Sequence, residues 1–251
     1  MKVSIIDFET TGLELTKDLP FEVGVVHYNE KWEVQGQWKS FMWDETYPEI
    51  SKDAERVTGV SQETLKGYAK DPFTVLTEFF REIVDSQYVI AYNAKFDRSM
   101  LEAVCKHVSL EGVIPSEKWV CALKDVDYPT YITCKKLSHI AVEYGLTVFG
   151  DRLHRATTDC MMTAEVLKAG GHTIEQMVKY RDEPSLIIQA NVSYDDRQLA
   201  KDMKYSWEKI DDLVFSKLWV KRIKASKLQE EETKAKFNIV VLEGSPHIAN
   251  P

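Results

Sequence analysis

KVSIIDFE, residues 2–9, decides the fold reading. Its apolar run, Val3 to Ile6, has the composition of a buried strand, and the run ends in Asp7-Phe8-Glu9. Residues i and i+2 of a strand project to the same side, so both carboxylates point one way at the end of an apolar strand. Charge there is costly unless a cation compensates it, and oxygen ligands suit hard divalent ions. A solvated strand end is the alternative reading of these two acids alone. The following Thr10-Thr11-Gly12 favours a site, because a small, glycine-containing loop lets backbone N–H groups approach a ligand.

Outward from this strand, FEVGVVHY and WEVQGQWKSFM are β-rich, with a hairpin turn between them. Residues 50–67 read as a short helix and a loop. PFTVLTEFFREIVDS has apolar residues at helical spacing, YVIAYN is a short strand, and AKFDRSMLEAVCKHV is a helix. KWVCAL is a further strand. CKKLSHIAVEYGL is a helix stopped by Gly145, HRATTDCMMTAEVLKAGG one closed by two glycines, and HTIEQMVKYRDE one ended by Pro184. Three strands followed by helices alternating with short strands give an α/β class with a mixed central sheet flanked by helices. A domain of residues 1–184 is expected, then a small α+β C-terminal module over 185–251. In the module SLIIQANVSY reads as a strand, RQLAKDMKYSWEKI as a helix, LWVKRIKASKLQEEETKAK as a charged helix or hairpin arm, and FNIVVLE as a strand. GSPHIANP reads as a tail.

The 251 residues are 44% apolar and 29% charged, with a net charge of −8. This balance argues against a broadly basic nucleic-acid coat, but it allows an enzyme that meets phosphate through metal ions. The charge is uneven: residues 185–251 hold 11 Lys+Arg against 10 Asp+Glu, and the remainder 21 against 30. No apolar run reaches the ~18–20 residues of a membrane span, so no membrane partner is expected. MKVSIIDFET has no long apolar stretch before its first acid, so a cytoplasmic location is expected. Cys105, Cys121, Cys134 and Cys160 form no CxxC pair and read as reduced, buried thiols.

Two further segments carry chemistry. Asn93-Ala94-Lys95-Phe96-Asp97 follows a strand and opens a helix; alone, Asn93 is compatible with a cap and Asp97 with a helix-dipole partner. In His154-Arg155-Ala156-Thr157-Thr158-Asp159 the histidine precedes a helix and the acid sits in its first turns. Together the three segments offer four carboxylates and one histidine.

On these residues the chain resembles the DEDDh, DnaQ-like 3′–5′ exonucleases, which have a ribonuclease H-like core. DFETTGL, YNAKFD and HRATTD are similar to the three family motifs. The resemblance implies that Asp7, Glu9, Asp97 and Asp159 hold two divalent cations, Mg²⁺ or Mn²⁺, and that His154 is the general base. The tyrosine-type relatives carry Tyr where this chain has Arg155, so the histidine subclass fits. ERVTGVSQETLKG, KWVCALK, HRATTDCMMTAEVL and TIEQMVKYRDEPSL narrow the likeness to exodeoxyribonuclease X-type proteins over about residues 1–187. The implied reaction releases nucleoside 5′-monophosphates from DNA 3′ ends, single-stranded or duplex. Asp7 would bridge both ions, Glu9 and Asp159 would serve the nucleophile side, and Asp97 the leaving side. Thr10 and Gly12 would offer backbone to the terminal nucleotide, Leu13 would press on its base, Phe96 would wall the sugar, and Asn93 would hold the turn. Leu13 and Phe96 are also compatible with core packing.

An RNA-trimming enzyme of the same family is an alternative, and a catalytically silent nucleic-acid-binding or polymerase-associated subunit a weaker one; no protein partner is legible. The resemblance stops in the C-terminal module, where NVSYDDRQLAKDMKYSW and LWVKRIK stand in place of a Gly-rich FGKY-like segment. There Lys204, Trp207, Trp219, Lys221 and Arg222 could grip nucleic acid, with bases on the rings and phosphates on the cations. A small structural knob with a solvated basic face is the competing reading.

Overall fold

A computed structural model describes residues 1–147, 154–210 and 217–242. The chain forms two compact units, Met1–Arg181 and Asp182–Pro251.

In the first unit, β1 (Val3–Thr10) lies at the centre of a five-stranded sheet. It pairs antiparallel with β2 (Pro20–Tyr28), which pairs antiparallel with β3 (Val34–Phe41). On its other side β1 runs parallel to β4 (Tyr88–Ala91), and β4 parallel to β5 (Trp119–Cys121), so the order is β3-β2-β1-β4-β5. This is the expected mixed sheet. All nine residues of β2 are buried, which is why its hydrophobic run shows no alternation.

Helices cover both faces. Residues 50–69 form two short helices, α1 (Lys52–Thr58) and α2 (Gln62–Tyr68), where one was expected. Each is capped by a serine, Ser51 or Ser61, accepting from a backbone N–H three residues on. Gly59, in the left-handed region, ends the first. The α3 (Pro72–Ile83) and α4 (Ala94–His107) helices pack on one face, with Ile6, Phe8, Val75, Leu76, Phe79, Leu101 and Val104 in a common core. The other face takes α5 (Leu137–Glu143), α6 (Ala156–Ala169) and α7 (Ile174–Asp182), against Val3, Ile5, Val26 and Ile90. Along β1 the even positions therefore face α3 and α4. The odd positions Val3, Ile5, Asp7 and Glu9 share the α6 face, and that row changes from apolar to acidic at residue 7. All four cysteines are free thiols, and no helix among the described residues is long and apolar enough to cross a membrane.

The second unit is an antiparallel sheet of order β7-β8-β6-β9: β6 (Ser185–Asn191), β7 (Ser206–Glu208), β8 (Leu218–Lys224) and β9 (Asn238–Val241). Its core includes Ile188, Ala190, Ala200 and Tyr205. The helix expected over RQLAKDMKYSWEKI is only α8 (Arg197–Asp202). Lys204 turns into the left-handed region (φ 63°), and Tyr205 is buried with its ring edge-on to Phe237. The chain then leaves as strand β7. LWVKRIK is strand β8, and α9 (Leu228–Lys234) follows it. The segment read as a charged helix or hairpin arm is thus a strand followed by a helix. GSPHIANP lies outside the described residues.

One contact fixes α6 on the sheet. A Cβ on Gly24 of β2 would fall 2.6 Å from the Ala156 carbonyl carbon and 2.6 Å from the Thr157 nitrogen. Backbone atoms cannot swing aside as a side chain can. Gly24→Ala should therefore cost about 2–3 kcal/mol, lowering the melting temperature by roughly 5–10 °C. A thermal melt reads this, and an unchanged melt would show that α6 does not rest there.

Candidate active site

Three elements converge at the carboxyl end of β1, where α/β sheets commonly place ligands. Asp7 and Glu9 come from the strand. Asp159 comes from the first turn of α6, which Gly24 allows to lie close against β2. Carboxylate oxygens of Asp7, Glu9 and Asp159 all lie within 4.8 Å of one another. Asp97, in the first turn of α4, is 3% exposed and lies outside this tight trio, yet its charge acts on Asp7. His154 reaches the same place: its Nδ1 is 4.0 Å from Asp159 Oδ2, and its side chain is about half exposed. The residue itself sits in the left-handed region (φ 60°).

The electrostatics are those of crowded, desolvated carboxylates. Burial pushes Asp7 well above the usual carboxylate range, and the charges of Asp97, Glu9, Asp159 and Glu22 push it further. Glu9 is pushed up to about 8, by burial first and then by Asp159 and Glu22, with Arg155 opposing. Burial pushes Asp97 up to about 7, against backbone N–H groups of Asp97 itself and Phe8. Asp159 is also raised by burial, opposed chiefly by His154. No described Lys or Arg forms an ion pair with any of these four. A largely buried set of oxygen donors with no Lys or Arg ion pair among the described residues fits a hard divalent cation such as Mg²⁺ or Mn²⁺.

The loop after β1 is locally determined. Asp18, buried, takes the Thr11 hydroxyl at 3.1 Å and the Glu14 N–H at 2.8 Å. A Cβ on Gly12 would lie 2.3 Å from Asp18 Oδ2, so a side chain there would displace that carboxylate. Thr10 is buried, with its hydroxyl on the Gly12 carbonyl at 2.6 Å. Leu13 is 81% exposed, so it is not core packing. Asn93 is exposed at the start of α4 with no side-chain cap; its carbonyl accepts from the N–H groups of Phe96 and Asp97. Phe96 is half-buried. Beside this loop a groove of about 940 Å³ is lined by residues including Lys17, Tyr47, Ser99 and His107.

Sequence reasoning missed Glu22 and gave Arg155 no role. Glu22 is a lone acid inside the wholly buried β2, and that was the available signal. It stands opposite Glu9 in the β1–β2 register and pairs with Arg155 at 3.0 Å.

In the second unit, Trp207 is 52% exposed and its ring lies 5.2 Å from that of Trp219. Lys201 approaches Trp219 at 5.9 Å, and Lys204 is exposed. Lys221 and Arg222, however, are engaged by Glu231 and Glu208, each at 2.8 Å. The five residues expected to contact nucleic acid thus divide into a ring pair, an exposed lysine and two cations partnered by acids.

The family model for the RNase_T exonucleases matches residues 4–167. The PolC-type DNA polymerase III of Thermotoga maritima is 28% identical over 186 residues, 71% of this chain but 13% of that protein. The chain therefore spans only a small part of this curated relative. Among solved structures, Escherichia coli exonuclease I in complex with a dA16 oligonucleotide superposes with a TM-score of 0.68 at 12% identity, covering 94% of this chain and 68% of the other. Exonuclease X in complex with 5′ overhanging duplex DNA gives 0.53 at 22% identity, covering 71% and 98%. The strand order and the family match agree: the chain belongs to the RNase_T exonuclease family.

Proposed function

We propose that the protein is a divalent-cation-dependent 3′–5′ exodeoxyribonuclease that releases nucleoside 5′-monophosphates. The observation that carries this reading is the close carboxylate trio of Asp7, Glu9 and Asp159, with Asp97 acting on Asp7 and His154 beside Asp159. The solved neighbours bound to single-stranded and duplex DNA support DNA as the substrate.

Asp7, Glu9, Asp159 and Asp97 would hold the divalent cations, with Asp7 between the other acids. When bound, such ions acidify water and stabilise charge on the departing oxygen. His154 takes the proton of the attacking water; imidazoles as a class exchange protons near neutral pH, and its half-exposed ring can pass the proton on to solvent. Thr10 and Gly12 present backbone to the terminal nucleotide, exposed Leu13 presses on its base, Phe96 walls the sugar and Asn93 holds the turn at the head of α4.

Two variants test the assignment. Asp7→Asn should abolish hydrolysis of single-stranded DNA. It should also raise the melting temperature of the metal-free protein by at least about 2 °C, because it removes one charge from a repelling, desolvated set. Mg²⁺ should raise the wild-type melting temperature by mass action and leave the variant nearly unmoved. A wild-type melt flat across a millimolar titration would remove the metal site.

His154→Ala should keep the fold and the metal response but lose about 10²–10⁴-fold in kcat. Turnover equal to wild type would remove His154 as the base. Parallel digestion of labelled DNA and RNA separates the deoxyribonuclease reading from RNA trimming, and preference for RNA would overturn the substrate assignment.

For the second unit, the half-exposed Trp207 against Trp219, with Lys201 over the Trp219 ring, favours an accessory grip on single strands. Trp207→Ala should weaken oligonucleotide binding in EDTA by about tenfold, the worth of one stacked base. Unchanged affinity would leave the unit a structural knob.

A further inference from the structure

Glu22 is out of place for a residue with a purely structural role. Its side chain is 1% exposed, it faces Glu9 across the β1–β2 register, and its charge adds to the burden on Asp7, Glu9 and Asp159. Any neutral side chain would relieve that crowding. Glu22 is also not one of the acids whose oxygens cluster to hold an ion. Its partner is Arg155, whose Nε and Nη2 donate to the two carboxylate oxygens at 3.0 and 3.1 Å, in the forked geometry that a lysine cannot reproduce. The guanidinium also lies 5.5 Å over the Phe41 ring, and Phe41 is the β3 residue opposite Glu22.

Arg155 is the hinge between two functional groups. On one side is His154 in its left-handed conformation. On the other is α6, for which Arg155 is the cap residue, with no side-chain cap bond of the usual kind. The Arg155 carbonyl accepts from the N–H groups of Thr158 and Asp159 at 2.7 and 3.1 Å. A helix start without a side-chain cap needs another tether, and Gly24 supplies only a flat seat. The fork to Glu22 supplies a side-chain tether at that end, in addition to the seat at Gly24.

We infer that Arg155 is a positioning residue: its forked pair with Glu22 sets His154 and Asp159 against Asp7 and Glu9. The inference rests on the nuclease reading above, and it explains why a fifth buried acid is retained beside four that already repel. Displacements of about 1 Å at such a site are enough to cost ~10²-fold in rate.

The test compares the wild type with Glu22→Gln, Arg155→Lys and the double variant Glu22→Gln/Arg155→Met. Three readouts are taken: thermal melting, Mn²⁺ affinity by calorimetry, and kcat and KM on end-labelled single-stranded DNA. The double variant removes both charges together, so its melting temperature should stay within about 3 °C of wild type. Its Mn²⁺ affinity and kcat should nevertheless fall by about 10–100-fold, while KM for DNA moves less than about twofold. Arg155→Lys, which keeps the charge but loses the fork, should show an intermediate loss of both. Wild-type Mn²⁺ affinity and kcat in the double variant would overturn the inference and leave the pair purely structural. Should the double variant not fold, Glu22→Gln alone decides, because its amide keeps a hydrogen-bond partner for Arg155 and should show the same separation of melting from Mn²⁺ affinity. Absence of hydrolysis by the wild type would instead sink the nuclease reading, and the Mn²⁺ comparison would still judge the role of Arg155.

Discussion

Four carboxylates crowded into desolvated space at the carboxyl end of β1 are the constraint on which the rest of this molecule turns. Removing one ion from water costs several kcal/mol even after relaxation, and here Asp7, Glu9, Asp97 and Asp159 raise one another's cost. A flexible scaffold would let them drift apart. The sheet does not allow this. Asp7 and Glu9 lie in a strand paired on both sides through its first residues, with Val3, Ile5, Ile6 and Phe8 anchored in the two apolar cores. The core thus supplies the stability that the site spends, a trade usual for sites built from like charges.

The same constraint explains the unusual features nearby. Gly24 stands opposite Asp7 because α6 must come within backbone contact of β2 to bring Asp159 in range. Asp97 keeps two backbone N–H groups as compensation for its burial. His154 accepts a left-handed backbone to lie beside Asp159. Arg155 is held off the carboxylate trio by its pairing with Glu22, so that among the described residues no Lys or Arg forms an ion pair with the trio. Had Arg155 instead paired with Glu9, the demand for a metal ion would be largely met from within the chain.

Much of this is legible in the amino-acid sequence. The apolar-to-acid switch in KVSIIDFE located the central strand, and the alternation of elements gave the mixed sheet. The three segments around Asp7, Asp97 and Asp159 are the ones that the fold brings together. What escaped was cross-strand and cross-element pairing, which no linear pattern reports. Glu22 lies 133 residues from Arg155, and nothing in FEVGVVHY itself points to that partner. In the second unit the helix reading of RQLAKDMKYSWEKI failed because burial of Tyr205 beside Phe237 overrides a local spacing that suits a helix. The ion pairs of Lys221 and Arg222 likewise depend on Glu231 and Glu208, whose proximity the sequence does not encode locally.

The central claim is that the acid cluster is a cation-requiring centre that trims a strand from its 3′ end. The most direct measurement is a time course on one single-stranded DNA carrying either a 3′ or a 5′ label, run with Mg²⁺, with Mn²⁺ and with EDTA. The account predicts that the 3′ label is released at once as a mononucleotide, that the 5′-labelled strand shortens one residue at a time, and that EDTA stops both. Release of the 5′ label first, internal fragments, or undiminished cleavage in EDTA would contradict it.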